Sequence, residues 1–115
     1  MDFDKVVEKA KTWVASGKKT FKKEELERVR GIFDRFYHGN RGYVDKEAYD
    51  KARKSAKSMA ELMLDTIEFL NGQIFRLEKK RRKLPVDNLQ LKEAQKAYEM
   101  SLRFIREFLR ELEAP

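Results

Sequence analysis

Apolar residues recur at intervals of three and four along most of the chain, and no stretch of more than a few residues alternates with a period of two. Intervals of three and four place side chains on one face of an α-helix, whereas alternation is typical of a strand. We therefore predict an all-α fold, a small bundle of about four helices. In it, two shorter N-terminal helices pack on a long antiparallel C-terminal helical hairpin, and residues 1–115 form a single domain.

The first part of the chain predicts two helices. The first spans about residues 3–16 and ends at Gly17, because glycine enters the left-handed conformation of a helix C-terminus without strain. The second spans about residues 21–37, with Thr20 in position to cap its N-terminus. A turn is expected over residues 38–44, which contain two glycines and an asparagine.

The second part of the chain predicts the two long helices of the hairpin. After Asp45 as N-cap, an apolar stripe continues from Lys46 almost to Pro85. The stripe keeps its phase across Gly72, so we expect a continuous or a kinked helix there in preference to a reversal of the chain, although glycine costs about 1 kcal/mol relative to alanine. Pro85 ends this helix, and the last helix is expected over about residues 89–113.

Composition excludes several kinds of catalytic and metal site. The 115 residues include one His and no Cys, which excludes thiolate ligands, cysteine nucleophiles and zinc sites built from several histidines. No apolar run approaches the ~20 residues of a membrane-spanning helix, and the N-terminus is acidic where a signal peptide is basic. We therefore expect a cytoplasmic protein that is not an enzyme, with no cofactor, metal, membrane or small-molecule substrate.

Positive charge is abundant and unevenly distributed. Lys and Arg number 27 against 20 Asp and Glu, which gives a net charge of +7. Residues 1–60 hold most of this excess, while residues 76–83 form the densest basic run, with six bases and one acid. A surface rich in Lys, Arg and Glu is also typical of thermophilic proteins, so ion-pair networks are an alternative explanation for many of these charges.

Crowded cations repel one another unless an anion is near, and the phosphate backbone of nucleic acid is the commonest such anion. We therefore predict that the protein binds DNA or RNA mainly through phosphate, as an accessory subunit of a nucleoprotein complex. Tyr37 and Tyr43 are candidates for stacking on bases, the alternative being that both close the core. The cations assigned to this interface are Lys18, Lys19, Lys22, Lys23, Arg41, Lys54, Lys57, Arg76, Lys79, Lys80, Arg81, Arg82 and Lys83.

The turn after the second helix resembles an EF-hand at positions that do not bind calcium. Phe33 and Phe36 stand where aromatic residues close the entering helix, and Gly42 and Val44 stand at the glycine and β-branched positions of the loop. The resemblance implies two helices joined by a loop, over about residues 21–57. Calcium binding is not expected, because the ligand positions hold Tyr37, Gly39, Arg41, Tyr43, Asp45 and Ala48.

A second hypothesis is a protein-interaction scaffold, with another protein or a second copy of the chain as partner. Leu64, Phe69 and Phe75 lie outside the main apolar stripe of the hairpin, and a partner chain would cover them.

Two further charge patterns are assigned to a solvated surface. Glu61, Asp65 and Glu68 share one helix face, where pairing with lysine is favoured over a metal ion. The last helix places acids and bases four residues apart, and we expect pairs within this helix among Glu99, Arg103, Arg106, Glu107, Arg110 and Glu111.

Overall fold

The computed structural model describes residues 3–17, 20–81 and 88–113. These residues form five α-helices and no strand, which confirms the all-α class, although the prediction was about four helices. Within the described ranges, no helix is long and apolar enough to cross a membrane. The helices are α1 (Phe3–Ser16), α2 (Lys23–Gly39), α3 (Lys46–Ala52), α4 (Ala56–Arg81) and α5 (Asn88–Glu113).

The helix predicted from Lys46 almost to Pro85 is interrupted between α3 and α4, so that part of the prediction was wrong. Ser55 caps α4, since its Oγ accepts a hydrogen bond from the backbone N–H of Ser58 at 3.1 Å. The apolar residues keep their spacing of three and four through this turn. The periodicity of the sequence alone therefore does not reveal the interruption. Continuity across Gly72 is confirmed, because α4 passes through this residue.

Three predicted helix ends have different outcomes. Asp45 caps α3 as predicted, its Oδ2 lying 3.4 Å from the backbone nitrogen of Ala48. Thr20 does not cap α2, which begins at Lys23 without a side-chain cap. Gly17 follows α1 without a positive φ. Glycine is needed there because a Cβ would lie 2.6 Å from the carbonyl oxygen of Trp13.

The main core lies where α1, α2 and α3 pack on α4 and α5. Its largest fully buried side chains are aromatic and methionine residues, including Phe33, Phe36, Phe108 and Met59. Leu64 is also buried there, at 6% exposure, so its predicted place outside the core was wrong. The reason is that α4 is covered from more than one side, by α1, α2 and α3 as well as by α5. We call this part of the molecule the five-helix end.

A second, smaller core cluster lies between the end of α4 and the start of α5. Leu77, Leu91 and Ala94 are buried there and Ile74 packs against them. Since late residues of α4 meet early residues of α5, the two helices run antiparallel. We call this part the two-helix end. Near the middle of α4, Asp4 and Val7 of α1 line a groove together with Asn71.

Candidate nucleic-acid interface

A groove of about 450 Å³ opens at the five-helix end, where the end of α1 and the start of α2 meet the start of α4. Lys54 and Lys57 belong to its wall, and apolar side chains form much of the rest. We call it the lysine groove. It is lined by Val14, Ala15, Gly17, Phe21, Leu26, Lys54, Ser55, Ala56 and Lys57.

The turn that carries Lys54 is held in place by its neighbour Arg53. The Arg53 guanidinium donates two hydrogen bonds to the Asp34 carboxylate of α2, at 2.9 and 3.1 Å. The carbonyl oxygen of Arg53 accepts a hydrogen bond from Nε of Arg30 at 3.0 Å. Both the guanidinium and the backbone carbonyl of Arg53 are thus hydrogen-bonded to α2. The exposed side chain of the next residue, Lys54, therefore belongs to a turn that is held in place.

Asp34 has a third partner, the phenol of Tyr49, whose OH donates to Oδ1 at 2.5 Å. Burial, followed by the hydrogen bond and the charge of Asp34, raises the pKa of Tyr49 to about 12. The phenol therefore remains a hydrogen-bond donor at neutral pH, and Asp34 is bonded to both α3 and the turn after it.

Four lysines of the predicted set lie in or next to the segments that line the lysine groove. Lys22 and Lys23 follow Phe21, which lines the groove, and Lys57 lies in the first turn of α4. All four, including Lys54, are exposed, and none forms an ion pair within the described part of the chain. The positive end of the α4 dipole adds to their potential, while acids in the first turn of α2 partly offset it.

The other predicted cations lie elsewhere or outside the described residues. Arg41 lies in the turn between α2 and α3, with Nη2 at 2.9 Å from Nδ1 of His38. Arg76 is about 30 Å from Ala56 along α4, at 1.5 Å per residue. Lys79 is exposed near the end of α4, and Lys80 and Arg81 are the last two residues of this helix. The residues outside the described ranges are Lys18, Lys19, Arg82 and Lys83.

An acidic stretch of α4 separates Arg76 from the lysine groove. It contains Glu61, Asp65 and Glu68, all exposed. Burial and the neighbouring Glu68 and Glu61 raise the pKa of Asp65. Among the described residues, no group of three or more His, Asp and Glu is arranged to hold a metal ion. Of the described cations, those near the start of α4 and those near its end therefore form two zones with negative charge between them, while Arg41 belongs to the turn between α2 and α3.

Tyr37 and Tyr43 both contact other aromatic rings. Tyr37 is half-buried against the main core and stacks on Tyr49, with ring centroids 3.9 Å apart. The centroids of Tyr43 and Phe69 are 6.5 Å apart. One face of Tyr37 is thus covered by its own chain.

Three acids of α5 pair with other helices, so the prediction of pairs within α5 was wrong for Glu107 and Glu111. Glu107 pairs with Arg35 at 2.6 Å and Glu111 with Arg28 at 3.3 Å, both in α2. Glu113 pairs with Lys9 of α1 at 2.8 Å. The neighbouring helices offer bases at these positions, which the spacing within α5 does not reveal.

Sequence reasoning missed two cations that line a groove. Arg106 and Arg110, assigned to pairing within α5, line a second groove of about 450 Å³ between α1 and α5. Neither forms an ion pair within the described ranges. A sequence signal does separate them from paired bases: the positions four residues from Arg106 hold Leu102 and Arg110, and those four residues from Arg110 hold Arg106 and Ala114, so neither arginine has an acid at this spacing.

Comparison of the chain with protein-family models, with curated proteins and with solved structures finds no match to any of them.

Proposed function

We propose that the protein binds the phosphate backbone of DNA or RNA through the lysine groove, as an accessory subunit of a nucleoprotein complex. The supporting observation is that Lys54 and Lys57 line one groove and that Lys22 and Lys23 follow its wall residue Phe21 in the chain, while none of the four has an ion-pair partner within the described residues. Like charges held close together repel, and a phosphate oxygen between them relieves this repulsion.

The chemistry of the groove favours contacts to the backbone over contacts to bases. Lysine is a flexible point charge without the planar fork that arginine presents to guanine, and phosphate contacts carry no direct sequence information. Binding should therefore depend strongly on salt and weakly on sequence. Released counterions make the logarithm of the binding constant fall linearly with the logarithm of salt concentration.

Fluorescence anisotropy with labelled DNA and RNA, single-stranded and double-stranded, over a salt series tests the proposal. We expect binding at low salt, with a negative salt slope. Replacing Lys22, Lys54 and Lys57 with Ala should reduce the slope on duplex DNA by about 2 to 3, because each phosphate contact contributes about 0.9.

A matched control removes the same charge from another surface. Arg103, Arg106 and Arg110 are exposed on α5, and replacing them with Ala changes the net charge equally. The proposal predicts a much smaller loss of affinity for this variant. Equal losses in both variants would show that only net charge matters, and absence of binding or of a salt slope would reject the phosphate contact itself.

A further inference from the structure

The face of α4 that points away from the core carries two large exposed aromatic residues. Phe69 is 51% exposed and Phe75 is 59% exposed. Residues at steps of three and four continue this face along the helix, on both sides of Gly72. We call it the α4 stripe. It consists of Glu61, Asp65, Glu68, Phe69, Gly72, Phe75, Arg76 and Lys79.

The α4 stripe reverses its charge at Gly72. Phe69 and Phe75 lie three residues before and after this glycine. Glu68 lies four residues before the glycine and Arg76 four residues after it. Asp65 and Lys79 lie seven residues before and after it. Glu68 and Asp65 thus each have a base at the same distance after the glycine, and Lys83, the counterpart of Glu61 in the sequence, lies outside the described residues.

A pattern of this kind is complementary to itself. A two-fold axis through Gly72 would place a second α4 antiparallel to the first, so that each residue meets the one at equal distance beyond the glycine. Asp65 would then meet the partner's Lys79 close to the centre of the seam, whereas Phe69 and Phe75, about 60° to either side of Gly72 around the helix, would flank its two edges. We infer that two copies of this chain form a homodimer through their α4 stripes, paired antiparallel about Gly72.

Gly72 has no packing role in its own protomer. A Cβ at this position would meet only Nη1 of Arg76, at 3.8 Å, which is ordinary van der Waals contact. Glycine within a helix is destabilising relative to alanine. At the centre of a helix pair, however, the absence of a side chain lets the two backbones approach closely.

The acidic part of the α4 stripe has more negative charge than its own protomer offsets. Glu68 pairs with Lys11 of α1 at 3.1 Å, whereas neither Glu61 nor Asp65 has an ion pair within the described ranges. At the basic part, Nζ of Lys79 lies 4.5 Å from the centre of the Phe75 ring. A second copy supplies the bases that the acidic part lacks and covers both aromatic rings.

The homodimer is independent of nucleic-acid binding. It assigns a role to Arg76 and Lys79, which lie about 30 Å along α4 from the lysine groove. Nucleic acid is absent from the experiments below, so either proposal is able to fail alone.

Exchange of charges across the proposed interface provides the main test. Analytical ultracentrifugation of the wild-type chain at about 10 to 100 µM, a range typical of weak specific complexes, should show a dimer. Asp65→Lys and Lys79→Asp should each raise the dimer dissociation constant by about tenfold or more, because like charges then face each other twice. An equimolar mixture of the two variants should recover the dimer. Lys92→Asp, an exposed reversal on α5, should not change association.

Glycine substitution tests the position of the axis without the risk of unfolding. Gly72→Leu should abolish the dimer, whereas Gly31→Leu should leave it intact, since a Cβ at Gly31 of α2 also meets open space. Circular dichroism should show both variants folded.

Three outcomes would overturn the inference. One is a wild-type chain that is monomeric over the whole concentration range. Another is a mixture of the charge variants that associates no better than each variant alone. The third is a Gly72→Leu variant that dimerises as well as Gly31→Leu.

Discussion

The two ends of the molecule use the same pair of helices and differ in what surrounds them. At the five-helix end, three further helices cover α4 and α5, and Phe33, Phe36 and Phe108 are fully buried. At the two-helix end, each helix buries only the stripe that faces its partner, and Phe75 and Leu89 remain exposed. A helix hairpin alone therefore leaves apolar surface in water, which is why the proposed self-association lies on α4 near this end.

The largest expected effect is a loss of stability on truncation of a core side chain, and it should differ between the two core clusters. Phe108→Ala should destabilise the protein by about 3 to 5 kcal/mol, because it empties a fully enclosed site beside Trp13. Leu77→Ala should cost nearer to 2 kcal/mol, since the thin two-helix end collapses more easily around the gap. Urea denaturation measures both values. Equal losses would show that the small cluster is as well packed as the main core.

A buried polar contact at the five-helix end sharpens the same comparison. Asn40 Nδ2 donates to the carbonyl oxygen of Phe36 at 2.9 Å, and Ser101 Oγ donates to Asn40 Oδ1 at 3.1 Å. Asn40→Ala should therefore cost about 1 to 3 kcal/mol, because it removes the hydrogen bond to the carbonyl oxygen of Phe36, whereas Ser101 Oγ keeps its hydrogen bond to the carbonyl oxygen of Ala97 at 2.8 Å.

The matched residue on the hairpin is Gln73, whose Oε1 is buried without a hydrogen-bond partner among the described residues. Gln73→Met should be neutral or stabilising in the same denaturation experiment, because it removes an unsatisfied oxygen. A loss as large as that of Asn40→Ala would show that Gln73 has a partner after all.

The sequence predicts α1 closely and predicts the continuity of α4 across Gly72, because both depend on local periodicity. It misses the turn before Ser55, since Ala52, Ala56 and Met59 keep helical spacing on both sides of it. Serine is a favoured N-cap residue, but Ser55 has no Glu or Gln three residues later to complete a capping box, so the apolar phase is the stronger signal. Local patterns thus predict the elements better than their interruptions.

The candidate interface depends more on spatial arrangement. Lys54 and Lys57 are recognisable as a basic cluster, but their nearness to Phe21 follows only from how α1 and α2 pack on α4. The separation of Arg76 from this cluster likewise follows from the length of a straight helix with acids along it. Charge counts along a chain do not contain this information.

The hydrogen-bonded group that anchors the lysine groove predicts a pH effect confined to the alkaline range. The pKa of Tyr49 is about 12 in the folded protein against 10.0 for a free phenol. As pH rises above 10, the unfolded chain loses this proton first, so the contribution of Tyr49 is present below pH 10 and lost towards pH 12. Urea midpoints across this range should fall less steeply for Tyr49→Phe than for the wild type. Identical slopes would mean that the phenol titrates normally in the folded protein.

The smallest expected effect concerns the ion pairs that join α2 to α5. Arg35 and Glu107 lie 2.6 Å apart, but their side chains are 58% and 41% exposed, so water and salt screen the attraction. A double-mutant cycle with Arg35→Ala and Glu107→Ala should give a coupling of about 0.2 to 1 kcal/mol, and the coupling should diminish at high salt. A coupling well above this range would mean that surface charge holds the five-helix end together alongside its core. This small expected coupling agrees with the interpretation that the two ends differ in how much apolar surface they bury. The ion pairs then form as a consequence of helix packing.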